Sequence, residues 1–238
     1  MKKVIVFLSF IFLLVGCGKK SDEIVMVTEA GFAPYEFYEN GEVIGVDIEI
    51  SKKIADKLGK KLVIKDVAFD SIINELNSGK ADFAAAGMSI NPERSEKVDF
   101  SIEYITSNQV VVVKEDSDIK SIDDIKDKRI SVQLGTVADT YVTKNYKDAK
   151  INRLKKFLVA AEDVKNNKSD CIVMDAIPAN ELVKSNPELK VLDGILFQDK
   201  YGMAVKKGNK ELLNSINLVL EELIKDGKID EYIIKFSE

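Results

Sequence analysis

The sequence predicts an α/β fold made of doubly wound sheets, on three observations. From residue 24 to 86, short apolar runs alternate with stretches of helical periodicity in the order strand, helix, strand, helix, strand. From residue 129 the same alternation starts again without any repetition of sequence. The roughly 215 residues that follow the N-terminal region are enough for one large domain or two lobes. The restart favours a second α/β lobe.

At the N-terminus, Lys2 and Lys3 precede an apolar run over 4–15 and then Gly16-Cys17. The run is too short for a comfortable membrane span and has the shape of a signal peptide over 1–16. Leu14-Val15-Gly16-Cys17 resembles the lipobox of bacterial lipoproteins, which implies that Cys17 is lipidated and that 17–23 is a tether.

Residues 24–28 form the first expected strand, which ends in Glu29-Ala30-Gly31-Phe32-Ala33-Pro34-Tyr35. Such a strand end, opened by glycine and stiffened by proline, is where α/β folds place ligands. Residues 35–37 and 42–45 flank Asn40-Gly41 and read as a hairpin. Asp47 is expected to cap a helix with Ile48, Ile54, Ala55 and Leu58 on its apolar side, closed by Gly59. A strand at 61–66 follows, then Phe69 and a helix over 71–77 capped by Asp70, then a buried strand at 82–86. The β-branched run 109–113 suits a central strand. Beyond it come strands at 129–132, 150–154 and 171–174, helices at 136–146 and 160–166, and a helix begun by Pro178. A strand at 201–205 and helices at 210–226 and 229–236 complete the chain.

Composition narrows the function. The net charge is −5, or −7 once Lys2 and Lys3 leave with the leader, and no basic stripe appears, so nucleic acid is a poor partner. The chain has no histidine, which removes the usual serine or cysteine triads and most metal sites, and it lacks a glycine-rich phosphate loop with its lysine. Cysteine occurs only at 17 and 171, so there is no disulfide framework; Cys171, inside an apolar run, reads as a small core residue. No cofactor is expected.

The most informative stretch is 82–100, DFAAAGMSINPERSEKVDF. Asn91-Pro92-Glu93 reads as N-cap, proline at N1 and acid in the first turn of a short helix. Between strand and helix lie Gly87, which lets a ligand approach the backbone, then Met88, Ser89 and Arg94. Arginine is scarce, at 94, 129 and 153 only, while lysine supplies the general surface charge. An arginine beside a strand end suits a planar, two-toothed carboxylate receptor. The alternative is a surface helix in which Arg94 pairs with Glu93 or Glu96.

GMSINPERSEKVDFS, TEAGFAPYEF and GVDIEISKKIADKLGKK together resemble the polar amino-acid branch of the periplasmic solute-binding proteins that feed ABC importers, over nearly the whole chain after the leader. The resemblance implies two α/β lobes joined by a two-strand hinge, a Venus flytrap. Its crossings would fall near 111–115 and 198–202, so that lobe one is discontinuous (24–112 plus 202–238) and lobe two is 113–201. It also implies a monomer, anchored outside the cytoplasm by lipid, that traps a polar amino acid and delivers it to an ABC permease.

By the same resemblance Arg94 and the Ser89 amide hold the ligand carboxylate, while the Gly87 carbonyl, the Ser89 hydroxyl and Asp175 receive the α-ammonium. The turn Gln133-Leu134-Gly135-Thr136 closes over the carboxylate, and at Val137 only the backbone need face the ligand. Phe32 and Phe69 flank the aliphatic stem, and Glu29 faces the side-chain end. A glutamine-like neutral side chain is slightly preferred over a basic one, since a single acid among aromatics is thin support for a full cation. Read without the resemblance, Asp175 is a helix cap and Glu29 a solvated strand end. Two other functions share the fold. A cyclohexadienyl-dehydratase-like enzyme needs a proton donor, for which Glu29 is the one candidate. A sensory ectodomain is normally followed by a membrane span, whereas this sequence ends at Glu238.

Overall fold

The computed structural model describes residues 22–237; the signal-peptide reading and Cys17 lie outside the described residues. In the first sheet, β1 (Glu23–Thr28) runs parallel to β5 (Lys61–Asp66) on one side and β6 (Phe83–Ala84) on the other. β14 (Ala204–Lys206) adds antiparallel to β6, and β7 (Val98–Phe100) adds antiparallel to β14, which completes the order β5-β1-β6-β14-β7. Between β1 and β5 the chain inserts the small sheet of β2 (Gly31–Phe32), β3 (Glu36–Glu39) and β4 (Glu42–Ile44). Its β3-β4 turn uses Asn40 and Gly41 at φ 51° and 86°, the paired left-handed residues of a tight hairpin.

Helix α1 (Val46–Leu58) covers one face of this sheet with α7 (Lys210–Lys225) and α8 (Lys228–Ser237), where Ile48 and Ile54 meet Leu213, Ile216, Leu220 and Ile229. Gly59, left-handed at φ 62°, ends α1. Asp47 does not cap this helix: Gly45 occupies that position and Asp47 is buried inside the first turn. Nor does Asp70 cap the next one. Phe69–Ser71 is a 3-10 turn leading into α2 (Ile72–Asn77), which covers the other face through Ile72 and Leu76.

The second sheet has the order β10-β9-β11-β8-β12, with β9 (Arg129–Gln133), β10 (Lys150–Leu154) and β11 (Cys171–Asp175) parallel and β8 (Ile105–Lys114) antiparallel to β11. β12 (Leu189–Val191) and β13 (Phe197–Tyr201) both lie along β8. Alternation with period two sends Val111, Val113, Cys171 and Val173 into one apolar layer and Val110, Val112, Ile172 and Met174 into the other. Each such side chain is worth about 1.5–3 kcal/mol when fully buried. That double burial is why these strands read as unbroken apolar runs.

The expected lobe boundary at 112/113 is corrected. All of β8 belongs to the second sheet, and the chain leaves the first sheet after Phe100, through residues 101–104. The polar half of β8, Thr106 to Asn108, pairs with β13 and carries no apolar signal, so only 109–113 was legible as strand. The expected strand 201–205 is likewise split: β13 ends at Tyr201 in the second sheet and β14 starts at Ala204 in the first. The two crossings lie side by side. Tyr104 N donates to Tyr201 O at 3.1 Å, Ser101 N to Met203 O at 2.8 Å, and Met203 N to Ser101 Oγ at 2.9 Å.

Candidate functional site: a closed cleft between two lobes

Most of the side chains that bound the cleft come from just beyond the C-terminal end of a parallel strand. Glu29 and Phe32 follow β1, Phe69 follows β5, and Gly87 and Ser89 follow β6; Thr136 and Val137 follow β9, and Phe157 follows β10. Asp175 is the last residue of β11 and Gln133 the last of β9. Strand order reverses at these ends, so the loops diverge and leave a crevice. The crevice is shut, with a cavity of about 20 Å³, room for a single water and far less than an amino acid needs.

Arg94 sits in α3 (Pro92–Lys97), whose cap Asn91 accepts the Arg94 amide at 2.8 Å. Arg94 is 7% exposed, and its guanidinium donates to Ser89 O at 2.6 Å and, across the cleft, to Gly135 O at 2.9 Å, with the Phe69 ring 5.2 Å away. Among the described residues no carboxylate forms an ion pair with it; its direct contacts are carbonyl dipoles and a ring face, with Asp199 and Asp175 acting from farther off. Burial lowers its pKa to about 10, against the pull of the Asp199, Asp175 and Glu93 carboxylates, which raise it.

Gly87 is left-handed at φ 50°, and a Cβ there would stand 2.8 Å from the Phe32 ring. Its amide donates to Asp47 Oδ2 at 2.9 Å, while Tyr104 OH donates to Oδ1 at 2.7 Å. Asp47 therefore fixes the backbone at the cleft floor rather than a helix end. Met88 is corrected: in an extended segment neighbours face opposite ways, and its side chain points into the core with Val27, Ile72 and Leu76. The Ser89 hydroxyl, expected as an acceptor, donates to Asp199, and its carbonyl serves Arg94.

On the second lobe, Thr136 caps α4 (Val137–Asn145), accepting Asp139 N at 3.3 Å and donating to Gln133 O at 2.8 Å. Asp175 is buried and accepts Ser107 Oγ at 2.6 Å and the Tyr201 hydroxyl. It makes no side-chain cap to α6 (Ala176–Lys184), so the cap reading of this residue is set aside. Gln133 reaches the opposite end of the cleft from the carboxylate turn: Nε2 donates to Glu29 Oε2 at 3.0 Å and to Lys155 O at 2.9 Å. Glu29 faces the cavity at 2% exposure, and Lys156 Nζ lies 3.2 Å from its Oε1.

Phe32 and Phe69 both line the cavity, but the ring stacked on Phe32 is Phe157 of α5 (Phe157–Lys165), with centroids 5.6 Å apart. Phe157 and Glu36 were not singled out in the sequence. The first looks like one more core phenylalanine, and the second like a hairpin residue; only the inward phase of β3 distinguishes it. Glu36 Oε2 is buried without a hydrogen-bond partner.

Burial raises the carboxyls of Glu29, Glu36, Asp47, Asp175 and Asp199 above their ordinary range; Asp47 and Asp199 reach about 6, Asp199 pushed further by Asp175. A carboxyl whose folded value is raised contributes stability that is complete below its unfolded value and lost as pH rises through the folded one. The unliganded protein should therefore melt at a higher temperature near pH 5 than at about pH 7.5, and a cationic ligand should release protons and bind more weakly as pH falls through about 6. Calorimetric melting and titration across this range check both signs; a melting temperature that falls on going from the higher to the lower pH contradicts them.

A cleft closed between two lobes, with Arg94 and Glu29 on the first and Asp175 on the second, has the form of a ligand-trapping binding protein. Residues 24–238 match the model of bacterial extracellular solute-binding proteins, family 3, and the chain belongs to that family. It is 30% identical to the arginine-binding extracellular protein ArtP of Bacillus subtilis (strain 168), over 92% of this chain and 91% of the relative. It is 32% identical to ABC transporter arginine-binding protein 1 of Escherichia coli (strain K12), over 87% of each. An ancestral arginine-binding protein bound to arginine superposes with a TM-score of 0.85 at 42% identity, covering 90% of this chain and 98% of the other; one bound to glutamine gives 0.85 and 41%, covering 90% and 97%. These relatives are named as binding proteins, which favours capture over the dehydratase alternative.

Proposed function

We propose that the protein captures a basic amino acid, arginine foremost, between its two lobes outside the cytoplasm and hands it to the permease of an ABC importer. The observation that carries the capture of an amino acid is the buried Arg94, which among the described residues bonds carbonyls and faces a ring but forms no ion pair. The α-carboxylate of a ligand would complete it as a bidentate pair, beside the free amides that begin α4. Asp175 would take the α-ammonium, and the stem would lie among Phe32, Phe69 and Phe157.

The preference for a basic side chain over a neutral one departs from the sequence expectation for a stated reason. Glu29 is not the only acid lining the cavity: Glu36 lines it too, and burial raises both, a cost that a ligand cation would relieve. The relatives named for arginine support the same choice, and the one bound to glutamine is consistent with a site that tolerates a neutral amide. Lipid anchoring through Cys17 and a monomeric state complete the proposal, the first resting on Leu14-Val15-Gly16-Cys17 alone. The crossings at 101–104 and 202–203 would serve as the hinge.

Calorimetric titration with arginine, glutamine and leucine tests it. Wild type should bind arginine most tightly and leucine hardly at all, and Glu29→Gln should weaken arginine by about tenfold or more while changing glutamine less. Tight leucine binding that is unaffected by Glu29→Gln overturns the proposal.

A further inference from the structure

Lys156 stands where its own helix disfavours it. It is the N-cap residue of α5, in extended conformation and with no side-chain cap bond. A lysine there offers no acceptor to the free amides of the first turn, and it sets a positive charge at the positive end of the helix dipole. Where a sequence breaks a local rule, something else is gained. The gain here is Glu29, whose Oε1 lies 3.2 Å from Nζ while Oε2 is taken by Gln133. Lys156 is thus an ion-pair partner of Glu29 that reaches it from the other lobe.

The two partners are unequal in a telling way. Glu29 belongs to the first lobe and is shut away from solvent; Lys156 belongs to the second, and its side chain is 46% exposed, free to swing outward. Burial depresses the lysine, but Glu29 beside it more than compensates and leaves its pKa raised. Since the cavity is far smaller than an amino acid, ligand entry must displace some of the contacts that now close it. The Lys156 contact is among the least costly to give up, because the ammonium regains water when it leaves.

We infer that Lys156 is a specificity-determining residue: it is an internal substitute for the ligand's side-chain cation, holding Glu29 ionised when the ligand is absent or neutral and giving way when the ligand brings its own positive end. This rests on the reading above that the ligand side chain points toward Glu29. A cationic ligand then exchanges one ion pair for another and gains only the difference, whereas a neutral ligand keeps the pair intact. Lys156 thereby draws the affinities for cationic and neutral ligands together, in a site that its carboxyls alone would make strongly selective for cations.

The test is the ratio of arginine to citrulline affinity, two ligands of the same length that differ in a guanidinium against an uncharged ureido group. Both are titrated by calorimetry into wild type, Lys156→Met, Lys156→Arg and Glu29→Gln. Lys156→Met keeps the stem and removes the charge, and should widen the ratio by about fivefold, the upper end of what loss of a half-exposed ion pair corresponds to. Lys156→Arg should restore it to within about twofold of wild type, which a purely structural role of the side chain would not produce. A ratio unmoved in Lys156→Met but collapsed in Glu29→Gln overturns the role of Lys156 and leaves the orientation of the ligand standing. A ratio unmoved by either variant overturns both.

Discussion

Replacing Arg94 by alanine should weaken ligand binding by about a hundredfold to several thousandfold, the cost of about 3–5 kcal/mol for breaking a buried pair. The effect is large because no other arginine can take the carboxylate: Arg129 and Arg153 are committed to Asp170 and Asp139. Arg94→Lys should recover little, since a point charge cannot make two parallel bonds in a plane. The substitution also removes the guanidinium's bond to Gly135 O, one of the contacts that spans the lobes, so part of the loss will appear as incomplete closure. Calorimetry that finds Arg94→Ala within about threefold of wild type would remove the carboxylate receptor from the reading.

Asp175→Asn should lower affinity by a comparable amount, on the order of a hundredfold, and should at the same time stabilise the unliganded protein at neutral pH. Opposite signs are expected because the charge is wanted by the ligand and not by the fold. Asparagine keeps an oxygen for the Ser107 and Tyr201 hydroxyls, so the local hydrogen bonds survive. What disappears is a buried negative charge whose pKa burial has already raised, and with it the pull on an α-ammonium. Thermal melting and ligand titration of the same variant give both readings. A variant that binds normally, or that melts lower than wild type with unchanged hydrogen bonding, would assign Asp175 to the scaffold.

Much of the first lobe's share of the site was legible because it is local. Asn91-Pro92 caps a short helix, Arg94 is placed by that helix, and Gly87 lies just past a strand, Phe83–Ala84, that composition marks as buried. Glu29 and Phe32 follow the same logic at the end of β1. Asp47 shows the limit: its position before a helical run is what an N-cap looks like, and only packing against Gly87 and Tyr104 shows that it works inside the fold. Met88 fails for a similar reason, since adjacency in sequence to two site residues is, in extended chain, a reason to point the other way.

The sequence by itself determined the two α/β units, the order of most elements and the residues that one lobe presents at its strand ends, because strand and helix periodicity, caps and tight turns depend on neighbours within a few positions. Tertiary structure alone decided where the chain passes between the sheets, since the polar half of β8 is a strand only through its pairing with β13. It also decided which residues face each other across the cleft. Glu29 meets Gln133 and Lys156, Arg94 meets Gly135, and Phe32 stacks on Phe157, all over separations of about 40 residues or more along the chain. No local preference encodes such pairs; they exist because two independently wound sheets bring the ends of their strands to the same crevice.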